Sequence, residues 1–106
     1  MAKYLLLYGG GSMPETPEEQ AAVMKAWDEW FHDLGSAVVD GGNPFTFGTP
    51  PKRVASDGSI SDTKSPASGY SIIEADSLDD AAKKATGCPV LRGGADITVF
   101  ETFEVM

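Results

Sequence analysis

A chain of 106 residues is the size of one domain with one core, and 42% apolar with 23% charged residues excludes a disordered chain. Sixteen acids against eight bases leave a net charge of −8 with no Lys/Arg cluster, which argues against nucleic acid and anionic membranes as partners. A single cysteine builds neither a disulfide framework nor a thiolate zinc site, and the apolar run at residues 4–8 is too short for a membrane span or signal-peptide core. The class that remains is a soluble, acidic, cytoplasmic α+β domain.

Lys3-Tyr-Leu-Leu-Leu-Tyr8 carries Tyr4, Leu6 and Tyr8 on one alternating face and Leu5 and Leu7 on the other, which predicts a strand covered on both sides. Gly9-Gly-Gly-Ser-Met-Pro14 ends it in a turn. A helix opens at Thr16-Pro17-Glu18-Glu19, where Thr16 caps, Pro17 fits the first helical position and Glu19 closes a T-x-x-E box. Val23, Met24, Trp27, Trp30, Phe31 and Leu34 share one arc of about 120°, together with Gln20, and Glu18, Lys25, Glu29 and His32 lie opposite. Gly35 is a natural stop.

Residues 37–40 predict a second strand, followed by a Gly41-Gly-Asn-Pro44 break and a loop over 45–51. Residues 53–56 and 59–61 predict a hairpin, with Asp57-Gly58 as a two-residue primed turn. After a polar loop at 63–68, residues 69–75 predict a strand and Ser77 caps a second helix, with Asp79 and Asp80 favouring its dipole. Leu78, Ala81, Ala82 and Ala85 form its narrow apolar stripe, Gly87 and Pro89 end it, and residues 97–106 predict a long last strand. Two β-α-β units with a hairpin between them describe a ferredoxin-like α+β fold, one antiparallel sheet with both helices on one face. Because residues 4–8 and 97–106 are apolar on both faces, the uncovered side predicts a homodimer with sheets face to face.

Three stretches, Lys3-Tyr-Leu-Leu-Leu-Tyr-Gly-Gly10, Trp27-x-x-Trp-Phe-x-x-Leu-Gly35 and Gly69-Tyr-Ser-Ile-Ile-Glu-Ala-Asp-Ser-Leu-Asp-Asp-Ala81, resemble the YCII-related proteins, most of all the branch called DGPF-domain proteins. The resemblance runs over almost the whole chain. It implies a ferredoxin-like fold that dimerises into an α/β barrel, a small cleft and, in some members, a His–Asp pair; a few relatives act on chlorinated aromatic rings. Met24 stands at or near the family's helix histidine, and Ser61-Asp62-Thr63-Lys64 stands where Asp-Gly-Pro-Phe follows the hairpin, so only Asp62 carries over.

Asp62 and Asp40 are the acids nearest predicted strand ends. Asp62 is the candidate general base, against the reading of a loop aspartate that caps a turn. His32, the only histidine, falls on the polar side of its helix and reads as solvated surface unless a partner covers it. Glu101 shares a strand face with Ile97, Val99, Phe103 and Val105, where an acid lines a polar pocket or is returned to water at an edge; Glu74 raises the same question beside Tyr70 and Ile72. Trp27, Trp30, Phe31, Tyr4, Tyr8 and Tyr70 are core or pocket wall, with Tyr8 and Tyr70 the exceptions to core because their hydroxyls need partners.

Gly9-Gly-Gly-Ser12 lacks phosphate-loop spacing, Cys88 has no histidine or second cysteine near it, and no spacing converges carboxylates on a metal, so no cofactor is expected. The sequence-level expectation is a homodimer that binds a small molecule in a cleft without established catalysis. Tyr8, Met24, Asn43, Tyr70 and Glu101 would contact the ligand and Asp62 would supply any chemistry. The alternatives are a lyase or isomerase of a small cyclic or aromatic compound, with Asp62 as base and a tyrosine as acid, and a structural or regulatory dimer with a protein partner.

Overall fold

In the computed structural model, β1 (Ala2–Gly10) is a central strand that pairs antiparallel with β5 (Ala67–Ala75) on one side and β6 (Ala95–Glu101) on the other. The short β2 (Val38–Asp40) adds to β5, giving the order β2-β5-β1-β6, and β3 (Lys52–Val54) with β4 (Ile60–Asp62) forms a separate hairpin. The structure describes residues 1–12, 14–46 and 48–105; Met13 of the predicted turn, Phe47 of the predicted loop and Met106 of the predicted last strand lie outside them. Two helices, α1 (Pro17–Leu34) and α2 (Leu78–Ala85), complete a mixed α+β domain with an antiparallel sheet, compatible with a ferredoxin-like class. No helix among the described residues is long and apolar enough to cross a membrane.

The core lies between the helices and one sheet face. Tyr4, Leu6 and Tyr8 of β1 and Ser71, Ile73 and Ala75 of β5 point into it, and Trp30 of α1, Ala81 and Ala85 of α2, and Cys88 close it from above. Trp30 ties the two helices together: its indole Nε1 donates to the Lys84 carbonyl at 3.2 Å, and a side chain at Gly87 would crowd its ring. Both helices start as their sequences predict. Thr16 Oγ1 accepts from the Glu19 amide at 3.1 Å, and Ser77 Oγ accepts from the Asp80 amide at 3.0 Å. The acids of both boxes reach one residue further back, Glu19 to the Glu15 amide and Asp80 to the Asp76 amide.

Three expectations change. Only the second half of α1 packs on the sheet, through Trp27, Trp30, Phe31 and Leu34, while Met24 is 64% exposed and Val23 is exposed beside it. The helix outruns the sheet beneath it, so among the described residues the first half of its apolar arc is left partly uncovered. The hairpin turn is a three-residue loop. Ala55 and Ser59 close it, the Gly58 amide donates to the Ala55 carbonyl at 2.9 Å, and only Gly58 has positive φ. Both primed turns need positive φ at the first central residue, and Asp57 instead keeps an ordinary backbone while its Oδ1 accepts from the Ser59 amide at 2.9 Å. The last strand ends at Glu101, opposite Tyr4; the Thr102 amide makes the last rung of the ladder to the Lys3 carbonyl at 3.0 Å, and Thr102 Oγ1 donates to the same oxygen at 2.7 Å. Phe103 and Val105, predicted on the face of Ile97 and Val99, are therefore exposed.

Among the described residues, the other face of the sheet carries no second layer. Leu5 and Leu7 of β1, Tyr70 and Ile72 of β5 and Phe100 of β6 stand there in register, with the Phe45 ring 6.2 Å from that of Tyr70. In the single chain these residues are only half-buried by one another, and Phe100 is 47% exposed.

Candidate functional site

Polar chemistry converges in two places. The first is inside the core. Tyr8 sits on the helix-facing side of β1, its ring edge-on to Trp27 at 5.6 Å, because its cross-strand neighbour Gly69 offers no side chain to displace it. Its hydroxyl donates to Ser71 Oγ at 2.6 Å, and Ser71 Oγ donates on to the Gly41 carbonyl at 2.7 Å. Burial pushes the Tyr8 hydroxyl well above the ordinary phenol value, against a partly offsetting bond from Ser71, and burial likewise raises the neighbouring Cys88 thiol. A tyrosine held neutral and already bonded, beside a thiol held protonated, makes a structural relay between sheet and loop rather than an acid–base pair.

The second is a shallow groove of about 340 Å³ at one end of the bare sheet face. Leu7 and Thr98, opposite each other in the β1–β6 register, form its floor; Gly9, Gly10 and Gly94 form one wall, and residues 65–67 the other. Asp96 is its one charged group. The groove exists because the Gly10 amide binds the Pro66 carbonyl at 2.8 Å, folding the loop before β5 against the end of β1. Sequence reasoning missed Asp96 and Thr98. The one local signal was the Gly93-Gly94 turn just ahead of them, and only the sheet register places them beside Leu7.

The residues expected in a cleft are spread over the molecule. Asp62 lies exposed on the hairpin and pairs with Lys52 across the β3–β4 ladder. Met24 is on the free half of α1. Asn43 is exposed beside β5, where its carbonyl accepts from the Tyr70 amide at 3.4 Å, while the Tyr70 side chain stands on the bare face. Glu101 is exposed at the edge of the helix-covered face and accepts from the Tyr4 hydroxyl at 3.3 Å; burial, then the Glu101 charge, raises the Tyr4 hydroxyl above its usual value. Glu74, half-buried, faces Lys3 in the register. Asp40 accepts from the Gly42 amide at 2.8 Å, and His32 is exposed on α1. Within one chain, then, Tyr8, Tyr70, Asp62 and Glu101 share no common cleft. Among the described residues, no three His, Cys, Asp or Glu side chains are grouped to hold a metal ion.

No family model matches the chain, and no curated protein matches it.

Proposed function

We propose that this chain is a small-molecule-binding domain of the YCII-related type that works as a homodimer, its ferredoxin-like sheet meeting a second copy face to face to form an α/β barrel. The observation that carries this reading is the bare apolar sheet face of Leu5, Leu7, Tyr70, Ile72 and Phe100. The surface area supports it. A compact monomer of 11.2 kDa exposes about 5,700 Å², whereas this chain exposes 7662 Å². The difference, on the order of 2,000 Å² for one chain, exceeds the roughly 800 Å² that each partner of a standard interface buries.

The ligand site in this reading is the groove at the end of that face, which a second sheet would roof. Its apolar floor with Thr98 and Asp96 suits a small ring compound that donates a hydrogen bond, and Asp96 disfavours carboxylates. Phenols and lactams thus fit better than cyclic acids. Asp62, solvated and paired with Lys52, gives no support to the lyase or isomerase reading.

Light scattering together with a thermal-shift panel of phenols, lactones, lactams and cyclic acids tests both halves. A ligand at about 100 times its Kd stabilises by roughly 2.7 kcal/mol, and a hit should disappear in Asp96→Asn. A monomer at micromolar concentration overturns the dimer, and a flat panel on a dimeric sample overturns the ligand site.

A further inference from the structure

Glycine inside a strand weakens it, because it adds backbone freedom to the unfolded chain and packs no side chain. Gly9 lies inside β1, and neither its backbone nor its neighbours require a glycine there. Its φ is not positive, unlike that of Gly10 at +74° and of Gly94 at +86°. A Cβ on it would meet nothing closer than the Pro66 carbonyl oxygen at 3.5 Å, an ordinary contact. One on Gly69 would stand 3.1 Å from the Pro44 Cα, and one on Gly87 would stand 3.2 Å from the Trp30 ring. An alanine would thus fit the fold at position 9 and stiffen the strand.

The place of Gly9 shows what the missing side chain leaves open. Strand alternation puts it on the bare face with Leu5 and Leu7, and the β1–β6 register sets it opposite Asp96, as Leu7 is set opposite Thr98. A side chain at Gly9 would cross the groove, from its own wall towards Pro66 on the facing one. The β1–β5 register shifts at this point, with Tyr8 opposite Gly69 and Gly9 opposite Ala67, and irregularities of that kind re-aim the chain beside binding sites. Among the described residues, Asp96 has no ion-pair partner. A bare peptide, an apolar floor and a free carboxylate therefore meet in one stretch of the groove.

We propose that Gly9 is the specificity-determining residue of the groove: its absent side chain admits a flat ring between the two walls, with a ring hydroxyl donating to Asp96. This rests on the groove being the ligand site, and it narrows the ligands to planar monocyclic phenols. A puckered ring is thicker and meets the walls sooner, and any side chain at position 9 closes the passage.

Phenol and cyclohexanol are the probes, titrated into isotope-labelled protein and followed by the amide resonances of Gly10 and Gly94. In the wild type, phenol should shift both amides saturably, and cyclohexanol should bind several-fold more weakly. Gly9→Ala puts one methyl group in the way and should raise the phenol Kd about tenfold, and Gly9→Val should abolish the shifts. Gly9→Ala should also melt higher than the wild type and keep its sedimentation profile, a combination that a glycine retained only for folding or association does not give. An equal phenol Kd in the wild type and Gly9→Ala, or equal Kd values for phenol and cyclohexanol in the wild type, overturns the assignment of Gly9 and leaves the groove standing. A lower midpoint or an altered sedimentation profile in Gly9→Ala overturns it too, since the glycine would then serve packing. Phenol that shifts neither amide in the wild type overturns the groove itself.

Discussion

Ser71 is the polar residue on which the core depends most. It is fully buried, accepts from Tyr8 and donates to Gly41, so its hydroxyl joins β1, β5 and the loop after β2. Ser71→Ala strands two groups, the Tyr8 hydroxyl and the Gly41 carbonyl, and should cost about 1–3 kcal/mol, or a midpoint lowered by roughly 4–8 °C for each kcal/mol. Tyr8→Phe leaves the Ser71 to Gly41 bond in place and should cost less. Urea unfolding of both variants and of the double variant checks the order, and a Tyr8→Phe loss larger than that of Ser71→Ala would refute the relay. Gly42 is constrained differently. Its φ is +73°, and a Cβ there would run into the Tyr70 carbonyl of β5, whereas Gly58 at φ +87° has open space around it. Gly58→Ala should cost about 1–2 kcal/mol of left-handed strain, and Gly42→Ala should exceed about 3 kcal/mol because backbone must move as well. Equal midpoints for the two variants in the same denaturant series would contradict this.

At the scale of elements, α2 is short, and its capping carries much of its stability. At eight residues it is below the length at which a helix stands alone in water. Asp80 holds it at both ends of one turn: Oδ2 accepts from Lys84 Nζ at 2.7 Å and from the Asp76 amide. Those bonds, the Lys84 contact first, keep the Asp80 carboxyl below its ordinary value of 3.8, and the Ser59 amide does the same for Asp57 in the hairpin loop. A carboxyl depressed in the folded state binds its proton more readily when unfolded. Its contribution is therefore complete above pH of about 4 and is lost as the pH falls through the lower, folded value. The unfolding midpoint should drop as the pH is taken below 4, and Asp80→Asn should flatten part of that drop while lowering stability at neutral pH. A low-pH profile identical to wild type would show that Asp80 is not held as described.

The same elements show what a sequence makes legible. Thr16, Glu19, Ser77 and Asp80 act within four residues, so their caps could be read directly. The helix wheel correctly named the face of α1 but not how much of it is covered, because coverage of Val23 and Met24 depends on where β1 and β5 end. Asp57-Gly58 fits both a primed turn and a three-residue loop, since each uses a left-handed glycine. The end of β6 depended on Thr102 finding the Lys3 carbonyl 99 residues away. The candidate site was less legible still. Asp62 takes its partner Lys52 from the hairpin register, Tyr8 takes Ser71 from the β1–β5 register, and the groove around Asp96 needs three segments at once. Residue type identified groups able to do chemistry; only long-range pairing decides which of them meet.

The whole molecule is a slab, 43 × 40 × 18 Å, with a radius of gyration of 15.3 Å where a compact chain of this length has about 13 Å. A thickness of 18 Å accommodates one sheet and one layer of helices, and the apolar half of the sheet is then the broad face of the slab. In the proposed dimer, burying that face against its own copy would remove the imbalance without any new element and would couple association to folding. The thermal midpoint should accordingly rise with protein concentration, since mass action favours the associated native state. Phe100 is the residue through which to separate the two processes. It stands on the bare face at the outer strand β6 and is half exposed in the single chain, so the monomer can hold a glutamate there in water. In a face-to-face pair the same carboxylate would be buried against leucine and isoleucine, at a cost of several kcal/mol. Phe100→Glu should therefore sediment as a monomer with an unchanged far-ultraviolet spectrum and a lower midpoint that no longer depends on concentration. A wild-type midpoint that is flat over a hundredfold range of concentration, or a Phe100→Glu chain that still dimerises, would mean that the bare face is not where two copies meet.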